Sequence, residues 1–484
     1  MRPWITNICS QSRDDYRISF ESTGALEFDN EYSGLAVAPA HRYCFRRIQA
    51  RIPCYKSNIL ELAMKDSQYT AFVGIDWADA KHDYCIQSST AKSTDKTFGV
   101  VAHVPAELEE WLLALHQQYG GRLAFALELS SGPIVSVLQK YDFIDIYPIT
   151  PSTLAKYREA FKPSRAKDDP SDAELALDLI TRHPERFKKL QPQSVEMRTL
   201  VSLVEHRRKL VHERVRVTNR LRTTLKQYYP QILEWFDHID TPMFCEFLEN
   251  WPTLKKAQRV RKTTLTTFFS KHNMDRANVL ERRFNAIDAA TALTNDPAII
   301  DPHQLLALAH ADMLRTLLRS IAKYDKQIAS IAPQLDDYQL FESLPGAGPM
   351  LTPRLLAAVG EQRDRFKTAA ELQQYAGIAP VTERSGKKHW VHWRWQCPTF
   401  LRQTFIEWAG QTIKYSTWAR VYYDQQRNKG ATHQAAIRSL AFKWIRILYS
   451  CWKTSTPYDE SRYINTLKKR VSPLMSQIEL AKTA

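Results

Sequence analysis

No apolar run in this chain approaches the ~20 residues that a bilayer-crossing helix needs. The opening stretch, MRPWITNICSQSRDDYRISF, also lacks the apolar core of a secretory signal. None of the seven cysteines, at positions 9, 44, 54, 85, 245, 397 and 451, forms a C-x-x-C pair or stands at zinc-ligand spacing with histidine. A structural metal and a disulfide framework are therefore not expected, and a reducing compartment is. Acidic charge is in the minority. The 52 Asp and Glu face 67 Lys and Arg, leaving a net charge of +15 and a pI of about 9.3. These features lead us to expect a cytoplasmic protein with no membrane partner and with a polyanion as its partner. Nucleic acid is favoured, because each phosphate neutralised by a basic side chain releases counterions. The 484 residues suffice for two to four domains with real apolar cores.

Residues 1–66 differ from the rest of the chain, with three of the cysteines, scattered aromatics and no sustained period. Periodic sequence begins just after Met64, which makes Met64 the expected native start; a variable extension is the alternative. From residue 70, TAFVGIDWA, HDYCIQS and KTFGVVAHV read as three strands at hairpin spacing. AELEEWLLALHQQYG is an amphipathic helix with Leu108, Trp111, Leu112 and Leu115 on one face. Then RLAFALEL and FIDIYPITP alternate with helical GPIVSVLQKY, STLAKYREAF and PSDAELALDLITRH. Hairpin-like strands followed by strand–helix alternation give the order of a ribonuclease-H-like α/β domain, placed at residues 67–190.

Residues 191–335 are expected to form a helical coiled-coil stalk with an insert of mixed character at 230–300. In the first helix Leu203, Leu210 and Val217 recur every seven positions, and the exposed face carries Arg207, Arg208, Arg214 and Arg220. That one-sided charge points to phosphate contact, against the plainer reading of solvated charge. A second heptad run sets Leu314, Ile321 and Ile328 at one position and Leu317, Tyr324 and Ile331 at the other. The pattern allows an antiparallel hairpin or a dimerising stalk. A mainly α domain follows at 340–456, with a tail at 457–484. It contains LPGAGP at a turn between helices and the stretch VTERSGKKHW, in which Ser385 stands beside Lys387, Lys388 and His389. Trp390, Trp393 and Trp395 in WVHWRW could stack on bases, or could be one buried face of a strand.

Four acids carry the chemistry. Asp76 closes the first apolar strand and Glu128 closes AFALEL, where an unpaired carboxylate would cost stability. In α/β sheets such strand ends share a crevice. Asp169 and Asp172 are spaced to lie on one face at the start of a helix, with Asp168 as the competitor for the third position. Helix capping alone would explain the last pair, with Asp169 as N-cap and Pro170 at the first helical position. The four together, without His or Cys partners, suit Mg²⁺, which can polarise a phosphodiester.

These motifs resemble a known family. GIDWADAKHD, the acid in ALELSSG, KDDPSDAELA, the basic helix ending RLRTTLKQYYP, and LPGAGP…YAGIAP…ERSGKK occur in the order of DEDD-type insertion-sequence transposases. Those recombinases are guided by a bridge RNA and combine a RuvC-like N-terminal domain with a transposase 20 C-terminal domain. The likeness spans about residues 70–456. It implies that Asp76, Glu128, Asp169 and Asp172 are metal acids and that Ser385 is a nucleophile giving a covalent phosphoserine link to DNA. It further implies DNA partners at the element ends and target, a noncoding guide RNA, and a homo-oligomer able to hold two duplexes. Lys387 and Lys388 would join the arginines in binding nucleic acid. Two departures stand out: ELSSGP replaces the usual shorter E-x-T-G, and WRWQCPTFLR replaces the usual K-x-G-N before L-R. The alternatives are a Holliday-junction-resolvase-like nuclease that uses the acids with water, and a catalytically silent nucleic-acid-binding protein.

Overall fold

Alternating apolar residues fix the sheet. The computed structural model describes residues 68–91, 95–161, 169–386 and 388–483. The expected extension through residue 66, the Met64 start, Asp168 and Lys387 lie outside the described residues. Strands β1 (Tyr69–Trp77), β2 (Lys81–Ser88) and β3 (Thr97–Ala102) form an antiparallel meander. Helix α1 (Pro105–Tyr119), β4 (Arg122–Leu127), α2 (Pro133–Leu138), β5 (Ile144–Pro148), α3 (Pro151–Phe161) and α4 (Asp169–Arg182) follow. Strands β4 and β5 join β1 in parallel, giving the order β3-β2-β1-β4-β5 of a ribonuclease-H-like domain.

Helices cover both faces, so the central strands are buried runs with little alternation. On one face Trp111 of α1 packs its ring against Tyr84 and Phe125. On the other, α4 lies directly on Gly74. A Cβ there would collide with the carbonyl oxygen of Ala173 and come within 2.7 Å of the Leu177 amide nitrogen. Only a glycine lets strand and helix backbones approach that closely.

The chain divides into two compact units, the second beginning at Lys189. It opens with α5 (Val195–Tyr228), whose first turn is capped by Ser194 accepting from the Met197 amide at 3.1 Å. The insert is helical rather than mixed: α6 (Ile232–Trp235), α7 (Pro242–Asn250), α8 (Leu254–Gln258), α9 (Lys262–Lys271) and α10 (Ala277–Ala289). They enclose a core of Tyr229, Trp235, Phe244, Phe247 and Phe269. Helix α11 (Pro297–Ile331) then returns antiparallel to α5 within the same chain, with Arg207 on Asp325 at one end and Leu225 clustered with Ala307 and Ala311 at the other. This pairing requires no second copy.

The α11 seam runs as its heptads indicate, with Leu314, Ile321 and Ile328 buried. The α5 seam differs. Met197, Leu200, Val204, Val217, Leu221 and Leu225 are buried, Leu203 and Leu210 are half-buried, and Val215 is 48% exposed. A straight helix drifts against a 3.5-residue repeat, and α5 serves two cores, packing Met197, Leu200 and Val204 into the C-terminal one.

That core is built by α12 (Tyr338–Glu342), α13 (Gly348–Val359), α14 (Ala369–Tyr375), α15 (Thr399–Tyr415), α16 (Thr417–Asn428), α17 (His433–Lys453), α18 (Glu460–Lys469) and α19 (Leu474–Thr483). Trp408, Trp418, Trp444 and Trp452 are fully buried in it. Between α14 and α15 a two-stranded hairpin, β6 (Val381–Ser385) and β7 (Lys388–His392), stands exposed. Among the described residues no helix is long and apolar enough to cross a membrane.

Candidate active site

Register places two of the four acids side by side. In the parallel β1–β4 pair Ile75 lies opposite Leu127, so Asp76 follows on β1 and Glu128 directly after β4, at adjoining strand ends, and alternation puts Asp76 on the α4 side with Gly74. Across the antiparallel pair Asp76 lies opposite Asp83. Asp83 is a further acid on this face, 5% exposed and paired with Lys81 at 3.3 Å. Sequence reading missed it; the signal was the short turn between the first two strands, which fixes which residue opposes Asp76.

The other two acids sit in the first turn of α4. Asp169 is the first residue of the helix rather than its N-cap, one position further in than the capping reading. It is exposed. Asp172 is buried, and the Arg158 guanidinium donates to it twice, at 2.7 and 2.5 Å. Because α4 touches β1 at Gly74 through the residue after Asp172, the helix start is held over the face that carries Asp76. Among the described residues, no three His, Cys, Asp or Glu side chains are grouped closely enough to hold an ion. The all-oxygen donor set of Asp76 and Glu128 fits a hard divalent cation. Asp172 could join it only by exchanging Arg158.

Ser385 ends β6 opposite Lys388, at the tip of the exposed hairpin. Gly386 follows with φ of 57°, the left-handed backbone that a two-residue hairpin turn requires. Strand alternation puts Glu383, Lys388 and Trp390 on the Ser385 face and His389 on the opposite one. On the same face His392 Nε2 lies 3.2 Å from a Glu383 carboxylate oxygen. Trp390 is 43% exposed and Trp395 73%, so neither belongs to a buried strand face. Trp393 is half-buried.

The basic face of α5 is partly committed. Arg207 pairs with Asp325, and Arg214 with Asp240 at 3.5 Å. Arg208 lies over the Phe400 ring at 5.7 Å, and burial with the neighbouring Arg354 charge lowers its pKa. Arg220 is exposed.

A ribonuclease-H-like sheet with acids at adjoining strand ends, followed in one chain by a mainly helical unit, is compatible with a DNA transposase. Comparison with known proteins agrees. A DEDD-type model described as transposase matches residues 73–230, and the model described as transposase, IS116/IS110/IS902 family, matches residues 338–424. The mini-circle putative transposase for IS117 of Streptomyces coelicolor is 30% identical over 419 residues, covering 82% of this chain and 98% of that protein. The uncharacterized 43.6 kDa protein of insertion element IS110 from the same species is 26% identical over 302 residues, 61% of this chain and 73% of its own. The pilin gene-inverting protein of Moraxella bovis is 26% identical over 168 residues, 31% of this chain and 48% of its own. The chain belongs to the IS110 family of insertion-sequence transposases, enzymes of DNA recombination that act on DNA. Domains of this DEDD type typically depend on a divalent metal.

Proposed function

We propose that this transposase cuts and rejoins DNA through a Mg²⁺-binding acid cluster of Asp76, Glu128, Asp169 and Asp172 and a serine nucleophile, Ser385, with sequence choice delegated to a noncoding RNA. The observation that carries this reading is the register that sets Asp76 and Glu128 at adjoining strand ends, with the Asp169–Asp172 helix held over the face that carries Asp76. The exposed tip position of Ser385 supports the second half, since a nucleophile must reach a bulky polymer. When bound, the metal would neutralise charge on the phosphoryl oxygens.

In the step we infer, the Ser385 Oγ attacks a backbone phosphorus. The Oγ–P bond forms as the bond from phosphorus to a deoxyribose oxygen breaks. The hydroxyl proton passes to water, and the departing deoxyribose oxygen takes one up from water. Lys388, opposite Ser385, sets an ammonium where it can meet the negative charge on the phosphoryl oxygens. Transesterification keeps the phosphodiester energy for rejoining, which recombination needs. Guide-directed choice leaves the protein to bind backbone, and the basic α5 face suits that. An assembly of several copies would hold the two duplexes; we assign it to the family resemblance alone.

Denaturing gels of protein, guide RNA and nicked DNA with Mg²⁺ test this directly. A covalent protein–DNA adduct is expected with wild type and none with Ser385→Ala. Asp76→Asn should keep DNA binding while strand exchange falls by roughly 10³-fold or more, in line with removal of an essential catalytic group. Free cleaved ends produced equally by wild type and Ser385→Ala would instead mark a water-using nuclease.

A further inference from the structure

At the foot of the Ser385 hairpin, two arginines lie against one tryptophan and a third follows it in the chain. Trp393 and Arg394 directly follow β7, and Arg394 Nε donates across the hairpin base to the Ala379 carbonyl at 3.3 Å. Arg402 of α15 donates a long 3.5 Å bond to the Arg394 carbonyl and lies 5.9 Å from the centre of the Trp393 ring. Arg438 of α17 stacks on that ring at 3.2 Å and donates to the carbonyls of Gly377 and Ile378 at 3.3 and 3.2 Å. Among the described residues none of the three meets a carboxylate. Burial, followed by the charge of Arg402, pushes the Arg438 guanidinium down to about 10, against an opposing influence of Cys397. The Trp393 indole N–H is buried and finds no acceptor.

Half-buried cations ordinarily gather acidic partners, since an unpaired buried charge is costly. Each guanidinium has five N–H groups, and here they spend one, one and two of them on neutral carbonyls. The donors of Arg402 and Arg438 therefore gather at one ring, with Arg394 next along the chain, and no anion of the chain's own receives them. Arg438 has a plainer role as well, satisfying the carbonyls that follow α14; Arg402 and Arg394 have no such task beyond one long bond each. Beside the cluster, Trp395 is 73% exposed with its ring 6.2 Å from that of Trp393. Cationic donors on a strand's phosphates next to an exposed aromatic are the parts of a single-strand binding seat.

We propose that Arg402, Arg438 and the neighbouring Arg394 form a seat for a backbone phosphate of DNA, with Trp395 stacking an adjacent base. The four residue steps from Val381 to Ser385 span roughly 13 Å of strand. The seat therefore holds the DNA strand about that far from the phosphodiester that Ser385 attacks, a register that rests on the reading of Ser385 as nucleophile.

The test uses the full chain in EDTA, so that no chemistry intervenes. Its probes are a labelled 30-nucleotide single-stranded DNA and the RNA of the same sequence, with anisotropy measured across a salt series. For Arg402→Gln we expect an affinity for DNA about four-fold weaker at physiological salt, and a slope of log K against log salt shallower by about 0.7, the loss of one phosphate contact. Arg394→Gln is a second variant, which removes one bond to the Ala379 carbonyl. Trp395→Ala should weaken DNA binding about five-fold or more with the slope unchanged. Wild-type slope and affinity for DNA in both arginine variants overturn the seat, whether or not thermal stability falls. So does a loss confined to the RNA probe. Because binding is read without cleavage, a missing covalent adduct alongside the expected slope change would remove the Ser385 reading and leave the seat standing.

Discussion

The sheet unit and the Ser385 hairpin of the helical unit treat charge in opposite ways. In the sheet unit nearly every buried ion is matched internally. Arg158 holds Asp172, Arg122 and Tyr69 hold Asp145, and Lys96 sits between Glu174 and Asp178 at 2.9 and 2.8 Å. In the helical unit the hairpin and its foot gather cations that the chain does not neutralise. A carboxylate site meant for a small cation can be kept paired and compact until the ion arrives. A surface meant for a polymer of phosphates gains nothing from its own counter-ions, because the polymer has to displace them.

Stability should divide along the same line, with the helical unit resting on aromatic packing and the sheet unit on close backbone approach. Trp444 is fully buried, its ring 4.6 Å from that of Trp418 and 5.1 Å from that of Trp408, and its N–H donates to Thr412 at 2.8 Å. Trp444→Ala should cost about 3–5 kcal/mol through the cavity it leaves, read as a drop in the thermal transition of the full chain. A variant that melts like wild type would break the comparison on the helical side. Gly74→Ala should cost about 1–3 kcal/mol, because backbone atoms of α4 cannot yield to the new methyl. The same variant should also lower strand exchange, since it shifts the helix that bears Asp169 and Asp172.

The smallest effect concerns pH. His82 is fully buried, its Nε2 2.9 Å from His103 Nδ1, and burial, with the His103 charge second, lowers its pKa. The unfolded chain therefore binds the proton first as pH falls below the ordinary value of about 6.5. The contribution of His82 is complete above that pH and is lost below it, as pH falls toward the folded-state pKa. Melting temperature should decline between pH 7.5 and 5.5, and the decline should be shallower in His82→Phe. Equal declines in both proteins would show that His82 plays no part.

Much of this arrangement is legible in the chain. The strands over residues 69–88 and 122–127 follow from apolar runs with turn residues between them, and the second heptad run marks the buried face of α11. Local pattern succeeds there because one face of each element is buried along its whole length. It fails where a partner decides. Arg158 gives no sign in sequence that it grips Asp172. Leu203 and Leu210 fit a heptad, yet α5 turns other residues inward because two cores compete for it. The 230–300 segment hides five short helices, each too brief for a clear period and held by shared aromatics.

By itself the sequence determined the order of strands and helices, the surplus of positive charge, and the presence of four acids and one serine in a recognisable succession. Those properties depend on residue type and spacing along one chain. Tertiary structure alone decided that Asp172 is held by an arginine, and that two arginines gather on one indole without an acid. Pairing across strands and packing between helices join residues far apart in the chain, and no local periodicity records which ones will meet.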